Sequence, residues 1–491
     1  MSEAAVLAID QGTSGTKAVV VDAGEVVAVE EVPIRPQYRD GAVVEQDPRE
    51  LLESVLSAGR RALERAARPV QAVALANQGE SVLAWDRATG EPLTPILVWQ
   101  DGRAAEVTAG LTEYADEVAA RTGLALDPYF SAPKMTWLRR HLTDQGVVTT
   151  TDSWLLHHLT GAFVTDASTA SRSLLTSLGG DAWDPWLVDL FGLGAESLPQ
   201  VVGCDEVVGT TTAFGAPLPV AGTIVDQQAA LLAQGCLAPG DSKCTLGTGA
   251  FLLAQTGPDP VRSTHGLTTS VAWRLRGRTD YCLDGQVYTL ASAVRWLAEL
   301  GVIGSAADLD TGAAADCGGA VFVPALAGLA APWWRSDVQG GLHGLTLATG
   351  RAELVRAVVD GLAASIAVVC EAAAGDLGAP LTVLRLDGGL TRSAVLVQAV
   401  ADLAQVPVAV SPAPHATAVG AAVAARLALD PGLAVPEALP VDGPARLVEP
   451  TIDAAQSQDR MDRWRRAAQA CVEIANAEQG RVDRAREQDH R

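Results

Sequence analysis

The sequence predicts an α/β protein of two lobes with a ligand cleft between them. Three observations predict it. The chain has 491 residues, and one hydrophobic core rarely grows past ~250–300 residues, so two domains are expected. An apolar strand that enters a Gly/Thr turn and leaves through a second apolar run occurs twice, near the start and again at 243–255. Each copy is followed by segments that alternate between helical and strand-like spacing.

The elements follow in order. VLAIDQGTSGTKAVVVDAGEVVAVEEVPI predicts a meander of three strands with turns at Gly12–Gly15 and Ala23–Gly24. DPRELLESVLSAGRRALERAA has helical apolar spacing and opens on Asp47-Pro48, an N-cap followed by a first-turn proline. VQAVALAN reads as a buried strand, so the opening is βββ, then α, then β. Around the middle, KCTLGTGAFLLAQ repeats the strand–turn–strand arrangement. A helix around 351–376, the strand LTVLRLDGG, a helix around 391–405, the short strand PVAVS and a helix over 416–429 complete the second lobe. We divide the chain into residues 1–242, 243–451 and a charged tail, 452–491, expected to form a solvated helix with a frayed end.

Composition narrows the function. Apolar residues make up 48% and charged residues 19%, as in an ordinary globular protein. The net charge of −22 repels nucleic acids and anionic membranes, so neither is an expected partner. It leaves room for a nucleotide, whose phosphates need only local amides, a lysine and a cation. Seven scattered cysteines with no CxxC pair point to buried thiols in a reducing compartment. No basic leader or long uninterrupted apolar run is visible, and a cytoplasmic location is expected. The histidines show no metal-ligand spacing.

The motifs carry the chemistry. Asp10-Gln11-Gly12-Thr13-Ser14-Gly15-Thr16-Lys17 follows an apolar strand. Its glycines let backbone amides approach phosphate oxygens, Lys17 can reach a phosphate, and Asp10 can hold Mg²⁺ through water. A plain hairpin would look similar, and the lysine is not in Walker A spacing. Gly247-Thr248-Gly249 offers a partner turn from the second lobe. Asp226-Gln227, where a loop enters an apolar helix, is read from the residues as a helix cap or as a general base with a hydroxyl-binding amide beside it. Asp387-Gly388-Gly389 ends a strand and lets a nucleotide lie close to the backbone. Asn77-Gln78-Gly79-Glu80 and Trp99-Gln100-Asp101 bring amides, carboxylates and an indole, which suit a polyol.

Together these stretches resemble the FGGY carbohydrate kinase family, most closely its glycerol kinase branch, from about residue 6 to about residue 430. LALDPYFSAPKMTWL, with Lys134 and Trp137, resembles the first family signature, and FVPALAGLAAPWWRSDVQGGLHGLTLATG the second. The resemblance implies two actin-like (ribonuclease H-like) α/β domains with ATP in the cleft and a small polyol or sugar as acceptor. It also implies a homo-oligomer, dimer or tetramer. Asp226 becomes the general base and Asp10 the Mg²⁺ ligand. Gly12, Thr13, Ser14, Lys17, Gly247, Thr248 and Gly249 face the phosphates, while Gly388 and Gly389 lie along the nucleotide. Glu80, Tyr129, Asp226 and Gln227 match positions that bond the polyol, and Trp99 and Phe251 match positions that pack its carbon side.

Three departures follow. Glycerol kinases read Asn-Gln-Arg-Glu where this chain has Gly79. The missing guanidinium opens space for a longer polyol, unless an arginine from elsewhere replaces it. Leu390-Thr391-Arg392 replaces the family's usual asparagines near the adenine. FGAPLPVAGTIVD lacks the Gly-Gly-x-Arg loop through which some members bind a regulatory sugar bisphosphate, so that regulation is expected to be absent. The expected reaction is phosphorylation of glycerol at a primary hydroxyl. The rivals are erythritol, threitol, xylulose or ribulose as acceptor, a non-catalytic sensor, or an actin-like ATPase.

Overall fold

The computed structural model describes residues 5–39, 42–411, 415–440 and 445–489, and the side chains of all but 482–489 among these. Two sheets carry the architecture. In the first, Val6–Gly12 pairs antiparallel with Gly15–Asp22, which pairs antiparallel with Glu25–Pro33. On its other side Val6–Gly12 runs parallel to Ala72–Asn77, followed by Leu218–Val225 and Val207–Thr211. The second sheet repeats the plan. Ser242–Leu246 pairs antiparallel with Ala250–Gly257 and parallel with Leu384–Asp387, which runs parallel to Val408–Val410. One detail differs: Ala250–Gly257 pairs with Arg278–Val287, and the intervening strand Thr268–Leu275 sits at the edge.

Alternation along the first strands explains how both faces of the first sheet are covered. Leu7, Ile9, Ala18, Val20, Val73 and Leu75 face Leu51, Val55, Ala58 and Ala62 of the helix Pro48–Ala66. That helix starts as its sequence predicts, with Asp47 accepting a bond from the Arg49 amide and Pro48 in the first turn. Val6, Ala8, Val19, Val21, Ala72 and Ala74 face the other way. They pack on the helix Asp226–Ala233 and on Ala416–Leu429, a helix that follows the second sheet's strand Val408–Val410 in sequence. Gly420 permits the two helices to pack closely on each other, since a Cβ there would lie 1.8 Å from the Ala229 carbonyl oxygen. Leu253, Ala272, Trp273 and Cys282 of the second sheet join the same apolar cluster, which locks the lobes together.

The second lobe's own core lies between its sheet and the helices Arg351–Leu377 and Ala394–Ala404. Arg351–Leu377 is long and apolar enough to cross a membrane, but most of its apolar stretch is buried inside the lobe. The expectation of a solvated terminal helix is corrected. Ala454–Asp489 buries Met461, Trp464, Ala468, Cys471 and Ala475 against the second lobe, and the Trp464 indole donates to the Phe322 carbonyl at 3.0 Å. All seven cysteines are free thiols, and six are buried.

Candidate active site

The parallel strands of both sheets end at the cleft, so the turns after them face one another there. A cavity of about 240 Å³ is lined by Asp10, Gly12, Thr13, Ser14 and Lys17 from the first turn and by Thr245, Gly247 and Thr248 from the second. Gly79, Glu80, Trp99, Tyr129, Asp226, Gln227 and Phe251 line the same cavity. Residues far apart in sequence, such as Asp10 and Asp284, thus share one cavity. A second cavity of about 620 Å³ meets it at Gly247 and is lined by Ser305, Asp310, Gly389, Leu390, Arg392 and Ser393 among others.

Two of the candidate glycines are required by close backbone approach. A Cβ on Gly249 would stand 2.4 Å from the Val287 carbonyl oxygen, and one on Gly388, which has φ +95°, 2.4 Å from that of Leu246. Neither is among the residues that line these two cavities. The second turn is then fixed from the helix Ala291–Glu299, where the Leu290 amide and the Ser292 hydroxyl both donate to the Thr248 carbonyl.

The first turn is fixed differently. The Thr13 hydroxyl donates to Gln78 Oε1 at 3.1 Å and accepts from Trp99 Nε1 at 2.8 Å. Gln46 donates to the Thr13 carbonyl at 2.6 Å. The Thr13 hydroxyl proton is therefore engaged inside the protein. The indole anchored by Thr13 meets Tyr129 and Phe251 edge-on, with ring centroids 5.6 and 6.0 Å away. Lys134 of the first signature is fully buried and donates to the Pro128, Tyr129 and Phe130 carbonyls, which holds the Tyr129 loop in place.

Asp226 opens its helix as the first helical residue, with Val225 at the cap position. Its carboxylate accepts the Gln227 amide at 2.7 Å. Burial, reinforced by the neighbouring Asp10 charge and opposed by Lys243, raises its pKa to about 6. Burial also raises Asp10 to about 6, against the pull of Lys17. Two buried carboxylates, both raised and one of them raising the other, suit a divalent cation, which would supply countercharge. Lys243 donates to Gln227 Oε1 at 2.6 Å, so the Gln227 amide group keeps its donors for a ligand.

Sequence reasoning missed Arg172. The short helix Ala167–Ser171 is capped by Asp166, which accepts from the Ser168 and Thr169 amides, and it delivers Arg172 into the cavity wall. The buried guanidinium bonds Glu80 from its own lobe and Asp284 from the other, with Tyr129 and Phe130 rings 5.7 Å from its centre. Glu80 itself sits at φ +57°, a backbone conformation that side-chain-bearing residues seldom adopt and that clusters at functional sites. Burial pushes its carboxyl above the usual range, against the pull of Arg172. No local motif announces Arg172, because its partners lie 92 and 112 residues away.

Two lobes of one plan, glycine turns facing across a cleft and a buried aspartate between them define the class of two-domain sugar and polyol kinases. The chain belongs to the FGGY family of carbohydrate kinases: the model of the family's N-terminal domain matches residues 5–233 and that of its C-terminal domain residues 242–429. A glycerol kinase of Thermus brockianus is 43% identical over 436 residues, covering 85% of this chain and 88% of the relative. One of Alkalilimnicola ehrlichii is 40% identical over 484 residues, covering 94% and 97%. Among solved structures, a Plasmodium falciparum glycerol kinase with ADP superposes with a TM-score of 0.87 at 28% identity, covering 96% and 99%.

Proposed function

We propose that the protein transfers the γ-phosphoryl group of ATP to a primary hydroxyl of glycerol, with Asp226 as the general base. The observation that carries the reading is the shared cavity, where Asp226 stands between the two glycine turns and the Glu80–Trp99–Tyr129–Phe251 group. The kinship with glycerol kinases at about 40% identity over most of the chain supports glycerol as acceptor.

Trp99 and Phe251 offer flat apolar surfaces for a carbon chain, and Glu80 and Gln227 offer an acceptor and a donor for its hydroxyls. Asp226 takes the proton from the attacking hydroxyl, which is oriented for in-line attack. The Gly12–Gly15 and Gly247–Gly249 turns, with Lys17, hold the phosphates. Asp10 would hold Mg²⁺, which when bound neutralises phosphate charge. The adenosine end lies in the second cavity, along Gly389, and the phosphates pass Gly247 into the first. We further propose a functional boundary at residues 242/243, with the acceptor site mainly before it and the nucleotide site after it.

The test is a coupled ADP-release assay with Mg²⁺-ATP and glycerol. The wild type turns over glycerol, and Asp226→Asn loses about 10²–10⁴ in kcat while ATP still binds. Near-normal turnover by Asp226→Asn would remove the base assignment, and substrate-independent ADP release would favour an ATPase instead.

A further inference from the structure

Lys243 is a charge held just outside the cleft. Its side chain is fully buried on the strand Ser242–Leu246 of the second lobe, and it is not among the residues that line either cavity. A buried ammonium is costly unless it is paired. Lys243 donates to Gln227 Oε1 at 2.6 Å and to Thr245 Oγ1 at 2.9 Å, and both oxygens are neutral. Its countercharge comes from Asp226 and Asp387. Burial raises both carboxyls, and the lysine pulls them back down.

The bond to Gln227 crosses from the second lobe's strand to the helix Asp226–Ala233. The oxygen and nitrogen of a glutamine amide are nearly alike in shape, so packing alone does not choose which one faces a ligand. An ammonium has donors only, so it takes the oxygen. Nε2 is then left for the cavity that Gln227 lines, and among the described residues it makes no hydrogen bond. Thr245, bonded to the same ammonium, lines the cavity together with Gly247 and Thr248. One side chain thus stands behind both the acceptor wall and the second turn.

We propose that Lys243 is a positioning residue for the acceptor, holding Gln227 from the opposite lobe with its amide donors toward a substrate hydroxyl. The inference rests on the reading that Gln227 meets the acceptor. The acceptor wall is then complete only while the strand Ser242–Leu246 stays docked on the helix that begins at Asp226.

The experiment measures KM and kcat for glycerol and ATP, with Tm, in the wild type, Lys243→Met, Gln227→Met, the double variant and Gln227→Glu. Lys243→Met and Gln227→Met each raise KM for glycerol by about 10-fold, the scale of one hydrogen bond, with KM for ATP within about threefold. The double variant loses no more than Gln227→Met alone, because the lysine acts through the amide. Gln227→Glu keeps an oxygen for Lys243 but has no donor for a hydroxyl. It loses as much as Gln227→Met, and it reads the orientation in a protein whose lysine is intact. Losses that multiply in the double variant overturn the inference, as does an equal rise of both KM values in Lys243→Met or a wild-type KM for glycerol in Gln227→Glu. A wild-type KM for glycerol in Gln227→Met overturns the inference together with the placing of Gln227 in the acceptor wall. If the wild type turns over another polyol instead, the glycerol assignment alone falls, and the same variants are read with that polyol.

Discussion

The two glycine turns occupy equivalent places in two sheets of the same plan, yet each is anchored to a different ligand region. The Gly12–Gly15 turn is tied through the Thr13 hydroxyl to Trp99 and Gln78, which belong to the acceptor wall. The Gly247–Gly249 turn is tied through the Thr248 carbonyl to the helix Ala291–Glu299 and borders the second cavity. Duplication supplied two phosphate-sized turns, and the hydrogen bonds behind them divide the labour. On the proposed function, the first would couple phosphate to acceptor, and the second phosphate to nucleoside.

That division can be broken from either side. The largest effect is expected on the nucleotide side. Gly388→Ala puts a Cβ against the Leu246 carbonyl at a left-handed φ, displacing the strand end beside Gly247. A displacement of ~1 Å near the chemistry costs on the order of 100-fold, which should appear in KM for ATP before that for glycerol. Equal losses for both substrates would argue against the division. Next is Thr13→Val, which keeps the shape but frees the Trp99 indole and the Gln78 amide. We expect KM for the acceptor to rise by about 10-fold, with KM for ATP unchanged. A pH profile probes the base between the turns. Because burial and Asp10 raise Asp226 to about 6, kcat/KM should fall as pH drops through 6, by about tenfold per unit below it, and an acid limb near 4 would contradict this. The smallest effect is expected from Ser292→Ala, which removes one bond to the second turn and should raise KM for ATP by about two- to threefold.

The sequence disclosed these elements unequally, for physical reasons. The two apolar runs around a Gly/Thr turn over Val6–Asp22 and the Asp47-Pro48 helix start are local signals, and both elements form as read. Asp226 was legible through its motif, the resemblance put its base reading ahead of its cap reading, and Val225 holds the cap position. Arg172 stayed hidden because its meaning lies in Glu80 and Asp284, which only tertiary packing brings to it. The sequence-stated possibility that a guanidinium from elsewhere stands near Gly79 therefore has a concrete candidate. The terminal helix is a different case. Its signal was present: Met461, Trp464, Ala468, Cys471 and Ala475 recur at steps of three and four. The charged residues between them masked a stripe that buries against the second lobe.

The helix Ala416–Leu429 has a consequence for synthesis. It covers one apolar face of the first sheet, although the ribosome makes it some 190 residues after that sheet's last strand, Leu218–Val225, is complete. Until residue 429 emerges, Val6, Ala8, Val19 and Ala74 have only part of their cover on that side, from the helix Asp226–Ala233. The nascent N-terminal half is thus a sticky intermediate, and its protection falls to chaperones and to the speed of translation.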